Sequence, residues 1–205
     1  MKKRDFKKEL SQFYNPSKKE ITLVEVPPMN FLMVDGQGNP NTSRAFQEAM
    51  EALYGVSYTV KFTLKHRGQV PDYTVMPLEG LWWTEGGQGF HQTNKDRWHW
   101  TVMIMQPDQI TEANIEQALQ TLRAKKNPPA LKKLRFERYT EGLSVQIMYL
   151  GPYDEEGPTI ERLHTYARDK GYQLRGKHHE IYLSDPRRTK PERLRTVIRQ
   201  PVFKS

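Results

Sequence analysis

The order of hydrophobic and polar residues along the chain predicts short strands and amphipathic helices in an arrangement that occurs twice. Residues 21–26 (ITLVEV) and 30–36 (NFLMVDG) have the apolar, β-branched composition of strands, and two prolines separate them. A turn-rich stretch follows and ends at Asn41 to Ser43, which are candidate N-caps. A helix is predicted next because apolar residues recur at helical spacing. These residues are Phe46, Ala49, Met50, Leu53 and Tyr54.

Two more strands complete the first half of the chain. Residues 72–84 (DYTVMPLEGLWWT) and 97–106 (RWHWTVMIMQ) are rich in aromatic and β-branched residues. The glycine-rich stretch EGGQGFHQTNKD, residues 85–96, joins them as a loop, and Asp96 is a candidate to close its tip. The first half is therefore predicted to run strand, turn, helix, strand, strand.

The second half repeats this order after one additional helix. Thr111 is a candidate N-cap for that helix, Ile110 and Ile115 are spaced as a hydrophobic staple, and the segment NPPA ends it. Strands are then predicted in residues 134–141, 143–151, 178–185 and 195–202. The helix among them carries Ile160, Leu163, Tyr166 and Ala167 on one face. Thr189 and Glu192 have the spacing of a capping box.

Alignment of the two halves predicts an α+β fold with a duplicated β-α-β-β repeat. In this alignment Glu79 corresponds to Glu180, and Trp82 corresponds to Leu183. The repeats could meet face to face or edge to edge around a pseudo-twofold axis. Because ligand sites are common at such interfaces, we expect the two carboxylates to line one cleft from opposite sides.

The composition predicts a soluble protein of the cytoplasm. A chain of 205 residues can bury a substantial core, and the complete lack of cysteine agrees with a reducing compartment. The N-terminus lacks the apolar segment of a signal peptide, and no apolar run approaches the roughly 20 residues of a membrane span. We expect a basic N-terminal arm in residues 1–18 and a single domain in 19–205, with repeats at about 21–108 and 131–203. A monomer or weak dimer is expected.

The formal net charge of +8 makes nucleic-acid binding a competing hypothesis. However, the 32 Lys and Arg residues are interspersed with 24 Asp and Glu residues, which favours an ordinary solvated basic surface. We therefore expect no specific nucleic acid as a partner. A gel shift at ~150 mM salt tests this expectation, because phosphate binding weakens steeply as salt increases.

Adjacent aromatic residues and strand carboxylates are the candidate chemistry of the chain. In a strand Trp82 and Trp83 point to opposite faces, so one packs in the core and the other can line a ligand site. Trp98 and Trp100 are two residues apart and therefore share one strand face, and His99 takes the other. A carboxylate in an apolar cleft has a raised pKa, and it can then serve as a general acid or base or attract a cation.

Several other kinds of site are not indicated. His178 and His179 are adjacent and diverge in a strand, and the histidines lack metal-ligand spacing. The GGQG run joins two strands and lacks the Lys-Ser/Thr and helix of a phosphate loop. The chain also has no Gly-x-Ser-x-Gly elbow. We expect no metal, no cofactor and no covalent nucleophile.

Two segments resemble the GyrI-like small-molecule-binding family, whose fold also forms the drug-binding domain of multidrug-responsive transcription activators. They are MPLEGLWWTEG (76–86) and HHEIYLSDPRRTKPERLRTVIRQPV (178–202). The resemblance extends from about Ile21 to Val202 and implies SHS2-like repeats around a pseudo-twofold cleft. The chain resembles in particular the stand-alone subfamily that includes cyclopropanoid cyclopropyl hydrolases. No helix-turn-helix of the activator type is predicted before residue 20, which weakens a regulator hypothesis.

The resemblance also implies an activity and a site. Enzymes of this subfamily open the activated cyclopropane of DNA-alkylating natural products, so a cofactor-free hydrolase acting in detoxification is expected. The family's buried carboxylate corresponds to Glu180, which would orient or deprotonate water, while Glu79, Tyr149 or Tyr153 would assist at the substrate carbonyl. The residues expected to bind the flat, hydrophobic, often cationic xenobiotic are Trp82, Trp83, Trp98, Tyr153, Tyr182 and His179. The alternatives are a non-catalytic protein that sequesters or senses lipophilic cationic drugs, and a gyrase-inhibitor-like protein.

Overall fold

The structure, a computed structural model, describes residues 3–85 and 94–204. Its helices are α1 (Phe6–Glu9), α2 (Ser11–Tyr14), α3 (Arg44–His66), α4 (Glu112–Lys125) and α5 (Gly157–Asp169). Its strands are β1 (Thr22–Val26), β2 (Met29–Gln37), β3 (Glu79–Trp83), β4 (His99–Gln106), β5 (Arg135–Tyr139), β6 (Gly142–Leu150), β7 (Tyr172–Leu174), β8 (His178–Tyr182) and β9 (Arg195–Lys204). Within these described ranges, no helix combines the length and apolar character of a transmembrane span.

The strands form one curled antiparallel sheet in which the two repeats meet edge to edge. The order is β1-β6-β9-β8-β3-β4-β2-β5, and β7 pairs with β9 outside this path. The first repeat supplies β2, α3, β3 and β4, and the second supplies β6, α5, β8 and β9. Strands β3 and β8 join the repeats. The predicted duplicated β-α-β-β architecture is therefore confirmed, and of the two arrangements considered the edge-to-edge one is present.

The register between β3 and β8 corrects the alignment of the repeats by one residue. Gly80 lies directly opposite Glu180, and Glu79 lies opposite Ile181. A twofold axis through the Gly80–Glu180 pair relates Trp82 to Tyr182, rather than to Leu183. Because neighbouring residues of a strand face opposite sides, Glu79 and Glu180 point away from each other. The prediction that both carboxylates line one cleft is wrong for this reason.

Two layers of helix cover the two faces of the sheet. On one side, here called the helix face, α3 packs over β2 and β4, and α5 packs over β6, β7 and β9. On the other, here called the opposite face, α2 places Phe13 and Tyr14 in the core, each 2 % exposed. Residues 3–18, predicted as a basic arm, thus contribute buried side chains to the packed structure. The helices leave β3 and β8 between them on the helix face.

The local signals for helix starts are borne out at two positions and fail at a third. The Ser43 side chain accepts a hydrogen bond from the Phe46 backbone N–H, and Thr111 forms a capping box with Asn114. Thr189 and Glu192 form no such box, because residues Pro191–Arg193 make a single 3-10 turn without a side-chain cap.

Two predicted strands are shorter in the structure than in the sequence interpretation. Of residues 72–84 only Glu79–Trp83 is a strand, and of residues 178–185 only His178–Tyr182 is. Asp96 lies in a 3-10 turn, where its backbone N–H donates to the Asn94 side chain. The remainder of the predicted glycine-rich loop, residues 86–93, lies outside the described residues.

Candidate functional site

The helix face of the β3–β8 junction brings together the residues with the most distinctive chemistry; we call it the seam. Glu180 stands at its centre, 8 % exposed, opposite Gly80. Strand alternation places His178, Tyr182 and Trp82 on the same face. His178 Nε2 lies 3.2 Å from Glu180 Oε1. The seam is therefore a carboxylate surrounded by aromatic rings, between the two main helices.

Glycine at position 80 shapes the seam by letting an indole cross it. A Cβ at Gly80 would lie 2.6 Å from Trp82 Nε1, so any side chain there would displace the ring. The indole N–H donates to Tyr182 Oη at 3.0 Å, and that hydroxyl donates to Glu180 Oε2 at 2.7 Å. Burial, followed by the Glu180 carboxylate, raises the pKa of Tyr182 well above its usual range. Tyr182 therefore remains a neutral donor that fixes one oxygen of Glu180.

Further aromatic rings extend the seam on both sides. Phe46 stacks on Trp82 with ring centroids 6.0 Å apart, and Trp98 meets Trp82 edge-on at 5.5 Å. From the second repeat, Tyr153 meets Tyr182 edge-on at 5.5 Å. Trp98 and Tyr153 are half-buried and thus accessible in part. Such rings can stack on a planar ligand and attract a cation.

An ion pair connects the two repeats beside these aromatic rings. Lys95, which precedes β4, pairs with Asp154, which precedes α5. The Lys95 ammonium also lies 5.5 Å from the centroid of the Trp98 ring. An exposed pair of this kind contributes little to stability.

Glu156 is a second seam carboxyl that the sequence interpretation missed. It is 3 % exposed at the start of α5, and its Oε1 has no hydrogen-bond partner within the described part of the chain. Burial is the main reason that the pKa of Glu156 is raised to about 10, and the adjacent Glu180 carboxylate is the second. Glu156 is therefore neutral near neutral pH, next to a carboxylate. The sequence offered little signal, because Glu156 lies in a turn with two other acidic residues.

Glu79 and His179, both predicted as site residues, lie on the opposite face in a buried network. His179 Nε2 is 3.0 Å from Glu79 Oε2, and His179 Nδ1 is 2.9 Å from Glu141 Oε1. Tyr14 Oη donates to Glu79 Oε1 at 2.8 Å, and Arg199 Nη1 donates to Glu141 Oε2 at 2.9 Å. The two carboxylates, His179 and Arg199 are each at most 2 % exposed. We call these five residues the opposite-face network.

Charges within this network hold one another ionised. Burial alone would lower the pKa of His179, but Glu141 and Glu79 outweigh it and raise that pKa to about 9. Burial alone would raise the pKa of Glu141, but His179 and Arg199 lower it to about 2. His179 and Arg199 thus lie against the carboxyl groups of Glu79 and Glu141. Arg199 Nη2 also donates to the Phe13 carbonyl at 2.7 Å, so the network anchors the N-terminal segment to the sheet.

Trp83 and Tyr149, the other predicted site residues, have different surroundings. Trp83 points to the opposite face, where it stacks on His99 with centroids 5.7 Å apart. The Lys177 ammonium covers its ring at 3.5 Å from the centroid. Tyr149 is on the helix face, but its hydroxyl donates to the Pro152 carbonyl at 3.0 Å. It therefore supports the turn that carries Tyr153 rather than reaching Glu180.

One sequence signal could have revealed the opposite-face network. Arg199 interrupts the apolar strand segment TVIRQPV, and a buried arginine requires a carboxylate partner. Glu141, by contrast, lies between strands and carries no distinguishing pattern. In residues 3–85 and 94–204, no group of three His, Cys, Asp or Glu side chains could hold a metal ion. Two surface cavities of about 250 and 410 Å³ lie beside α3 and α4, and no seam residue lines either one.

The fold defines the chain as a small-molecule-binding domain of the effector-binding type. More specifically, the GyrI-like small molecule binding domain model matches residues 19–202, so the chain belongs to the GyrI-like family. No curated protein matches the chain.

Three solved structures illustrate this relationship. An uncharacterized conserved protein from Listeria innocua is 39 % identical, with a TM-score of 0.91, over 98 % of this chain and 100 % of that one. A hydrolase from Listeria innocua is 38 % identical over the same shares, with a TM-score of 0.85. The EcmrR C-terminal domain shares the fold alone, at 14 % identity and a TM-score of 0.55, over 91 % of this chain and 98 % of that one.

Proposed function

We propose that this protein binds flat, hydrophobic xenobiotics in the seam and hydrolyses the activated cyclopropane of DNA-alkylating natural products in the cytoplasm. The observation that carries the proposal is the buried Glu180 carboxylate, held by Tyr182 and Trp82 among aromatic rings between the two repeats. Similarity to a Listeria innocua structure described as a hydrolase supports a hydrolytic role over binding alone.

The aromatic rings of the seam would bind and orient the substrate. Trp98, Tyr153 and Tyr182 come from both repeats and are partly exposed near the carboxylate, whereas Trp82 is 2 % exposed and supports Trp98 from the core. A planar polycyclic ligand can stack on such rings, and placing it against the attacking water can alone supply several kcal/mol. Substrate binding is therefore assigned mainly to aromatic contacts rather than to ion pairing.

Glu180 would activate the water that opens the ring. The water oxygen bonds to the ring methylene carbon as the adjacent carbon–carbon bond breaks, and Glu180 accepts the water proton. The electron pair of the broken bond moves through the conjugated system to the substrate carbonyl oxygen, which takes up a proton. The net reaction is the addition of one water molecule, and it needs no redox partner. General base assistance of this kind typically contributes ~10²–10⁴-fold in rate.

The roles predicted for Glu79 and His179 are not part of this proposal, because both side chains lie on the opposite face. Trp83 is left out for the same reason. Tyr149 is assigned a positioning role through the Pro152 carbonyl.

The test is product analysis with an isosteric variant. Wild-type protein is incubated with a spirocyclopropyl-cyclohexadienone, and the ligand mass is followed for addition of one water. Glu180→Gln keeps an acceptor for Tyr182 but cannot take a proton, so turnover should fall by about 10²-fold or more with affinity largely retained. The matched control, Glu161→Gln on the exposed surface of α5, should match wild type.

Three outcomes are informative. Full turnover in Glu180→Gln would contradict the water-activating role. Saturable binding with unchanged ligand mass would instead support a sequestering protein, which the same seam could serve. No binding across planar neutral and cationic ligands would reject the seam as the ligand site.

A further inference from the structure

Glu156 and Glu180 are two buried carboxyl groups that interact with each other. Glu156 is 3 % exposed and Glu180 8 %. Tyr182 fixes one Glu180 oxygen, whereas Glu156 Oε1 has no hydrogen-bond partner among the described residues. The side chains of Thr196 and Glu180 are the polar neighbours of Glu156. Two like charges at such close range cannot both be retained without a compensating cation. Glu156 therefore keeps its proton beside Glu180.

The groups around Glu156 come from every element packed against it. Strand β8 contributes Glu180 and Tyr182, with His178 next to Glu180, and β9 contributes Thr196. The acidic turn before α5 contributes Asp154, Glu155 and Tyr153, and β6 contributes Tyr149. Lys95 is paired with Asp154 of this turn. These surroundings keep Glu156 neutral in the free protein. When a cation binds, the partial positive charge at the N-terminus of α5 would help to stabilise the carboxylate form of Glu156.

We propose that this pair adapts the seam to the charge of its ligand: Glu156 keeps its proton beside a neutral ligand and releases it when a cation binds. The inference rests on the proposed ligand site, and it names a property of that site that hydrolysis does not require. A neutral Glu156 can donate a hydrogen bond to a ligand carbonyl. An ionised Glu156 adds a second negative charge opposite a cation.

The size of the effect follows from the distance over which charges act. A cation within ~4–6 Å of a carboxyl group lowers its pKa by about 1–3 units. From about 10 in the free protein, the pKa of Glu156 would fall to roughly 7–9 in a cation complex. Between these two values, cation affinity should increase by up to about tenfold per pH unit. Affinity for a neutral ligand should be unchanged over the same range.

The experiment compares ethidium, a flat permanent cation, with acridone, a flat neutral carbonyl compound. Titration calorimetry at about pH 9 in two buffers of different ionisation enthalpy counts the protons released on binding. Wild type should release a substantial fraction of one proton with ethidium and none with acridone. Glu156→Gln should release none with either compound. Its ethidium affinity should also lose the pH dependence that wild type shows.

The result that overturns the proposal is ethidium binding without proton release in wild type, or with the same release in Glu156→Gln. A second measurement needs no ligand. The infrared carbonyl stretch of a neutral carboxyl group should be present in wild type at about pH 8 and missing in Glu156→Gln. Failure of ethidium and acridone to bind would count against the ligand site itself, whereas lack of this band would independently overturn the neutral state of Glu156. Thermal unfolding confirms that the variant is folded.

Discussion

The opposite-face network should make the stability of this protein depend on pH, with His179 as the titrating group. Its pKa is raised from 6.5 to about 9, so the folded protein keeps a proton that the unfolded chain loses. This stabilisation is fully present below the unfolded pKa and is lost as pH rises through the folded one. Between about pH 6.5 and 9 the loss is about 1.4 kcal/mol per pH unit, or about 3 kcal/mol in total.

The perturbation that isolates this effect is His179→Gln. Glutamine can still donate hydrogen bonds, but it cannot supply the positive charge between Glu79 and Glu141. Removing one partner of a buried ion pair typically costs about 3–5 kcal/mol, so the variant should be markedly less stable near pH 6.5. The difference in the free energy of unfolding between wild type and the variant should then decrease by about 3 kcal/mol as pH approaches 9.

Urea unfolding followed by tryptophan fluorescence, repeated at intervals between about pH 6 and 9, measures both curves. Glu156 also reduces stability as pH rises, because its folded pKa lies above its unfolded value. That contribution is common to both proteins and cancels in the difference. His66→Gln at the exposed end of α3 is the matched control and should leave the slope unchanged. If the difference in the free energy of unfolding between His179→Gln and wild type does not change with pH, His179 is not the titrating group.

Two substitutions test the packing around the seam and the network. Gly80→Ala should displace the Trp82 indole from Tyr182, because the added methyl group would lie 2.6 Å from the indole nitrogen. The free energy of unfolding should fall by roughly 1–3 kcal/mol and ligand binding should weaken. An unchanged melting temperature would contradict this prediction. Tyr14→Phe should cost about 1–3 kcal/mol in urea unfolding, because buried Glu79 loses a hydrogen-bond donor. Tyr172→Phe, on the short edge strand β7, serves as its control, and equal losses in the two variants would argue against a special role for Tyr14.

The repeated architecture could be predicted from the sequence because strand and helix periodicities are local signals. The stripe beginning at Phe46 and the capping signal at Thr111 appear in the structure as α3 and α4. The register between β3 and β8 could not be predicted. Both strands are almost entirely buried on both faces, so no polar side indicates which residues point together. A shift of one residue in the alignment was enough to move Glu79 to the wrong face.

Residues of the candidate seam could be named from the sequence only where single residues stood out. Glu180 was found through its family resemblance, and Trp98, Tyr153 and Tyr182 through their positions on or beside strands. Glu141, Arg199 and Tyr14 come from segments that are distant along the chain, and only the folded sheet brings them together. Glu156 could not be recognised from the sequence, because its raised pKa comes first from burial and then from the neighbouring Glu180, and both depend on the folded structure.

The edge strands also determine when this chain can finish folding. Strand β1 leads into the first repeat but pairs with β6 of the second, and β5 leads into the second repeat but pairs with β2 of the first. Thr22 must therefore wait for Gln146, which follows about 120 residues later. At a synthesis rate of ~5–20 residues per second the delay is roughly 6–24 s. During this time the first repeat exposes the unpaired edges of β2 and β3, so a ribosome-bound first half should be a target for chaperones, and a fragment ending before β5 should aggregate rather than fold.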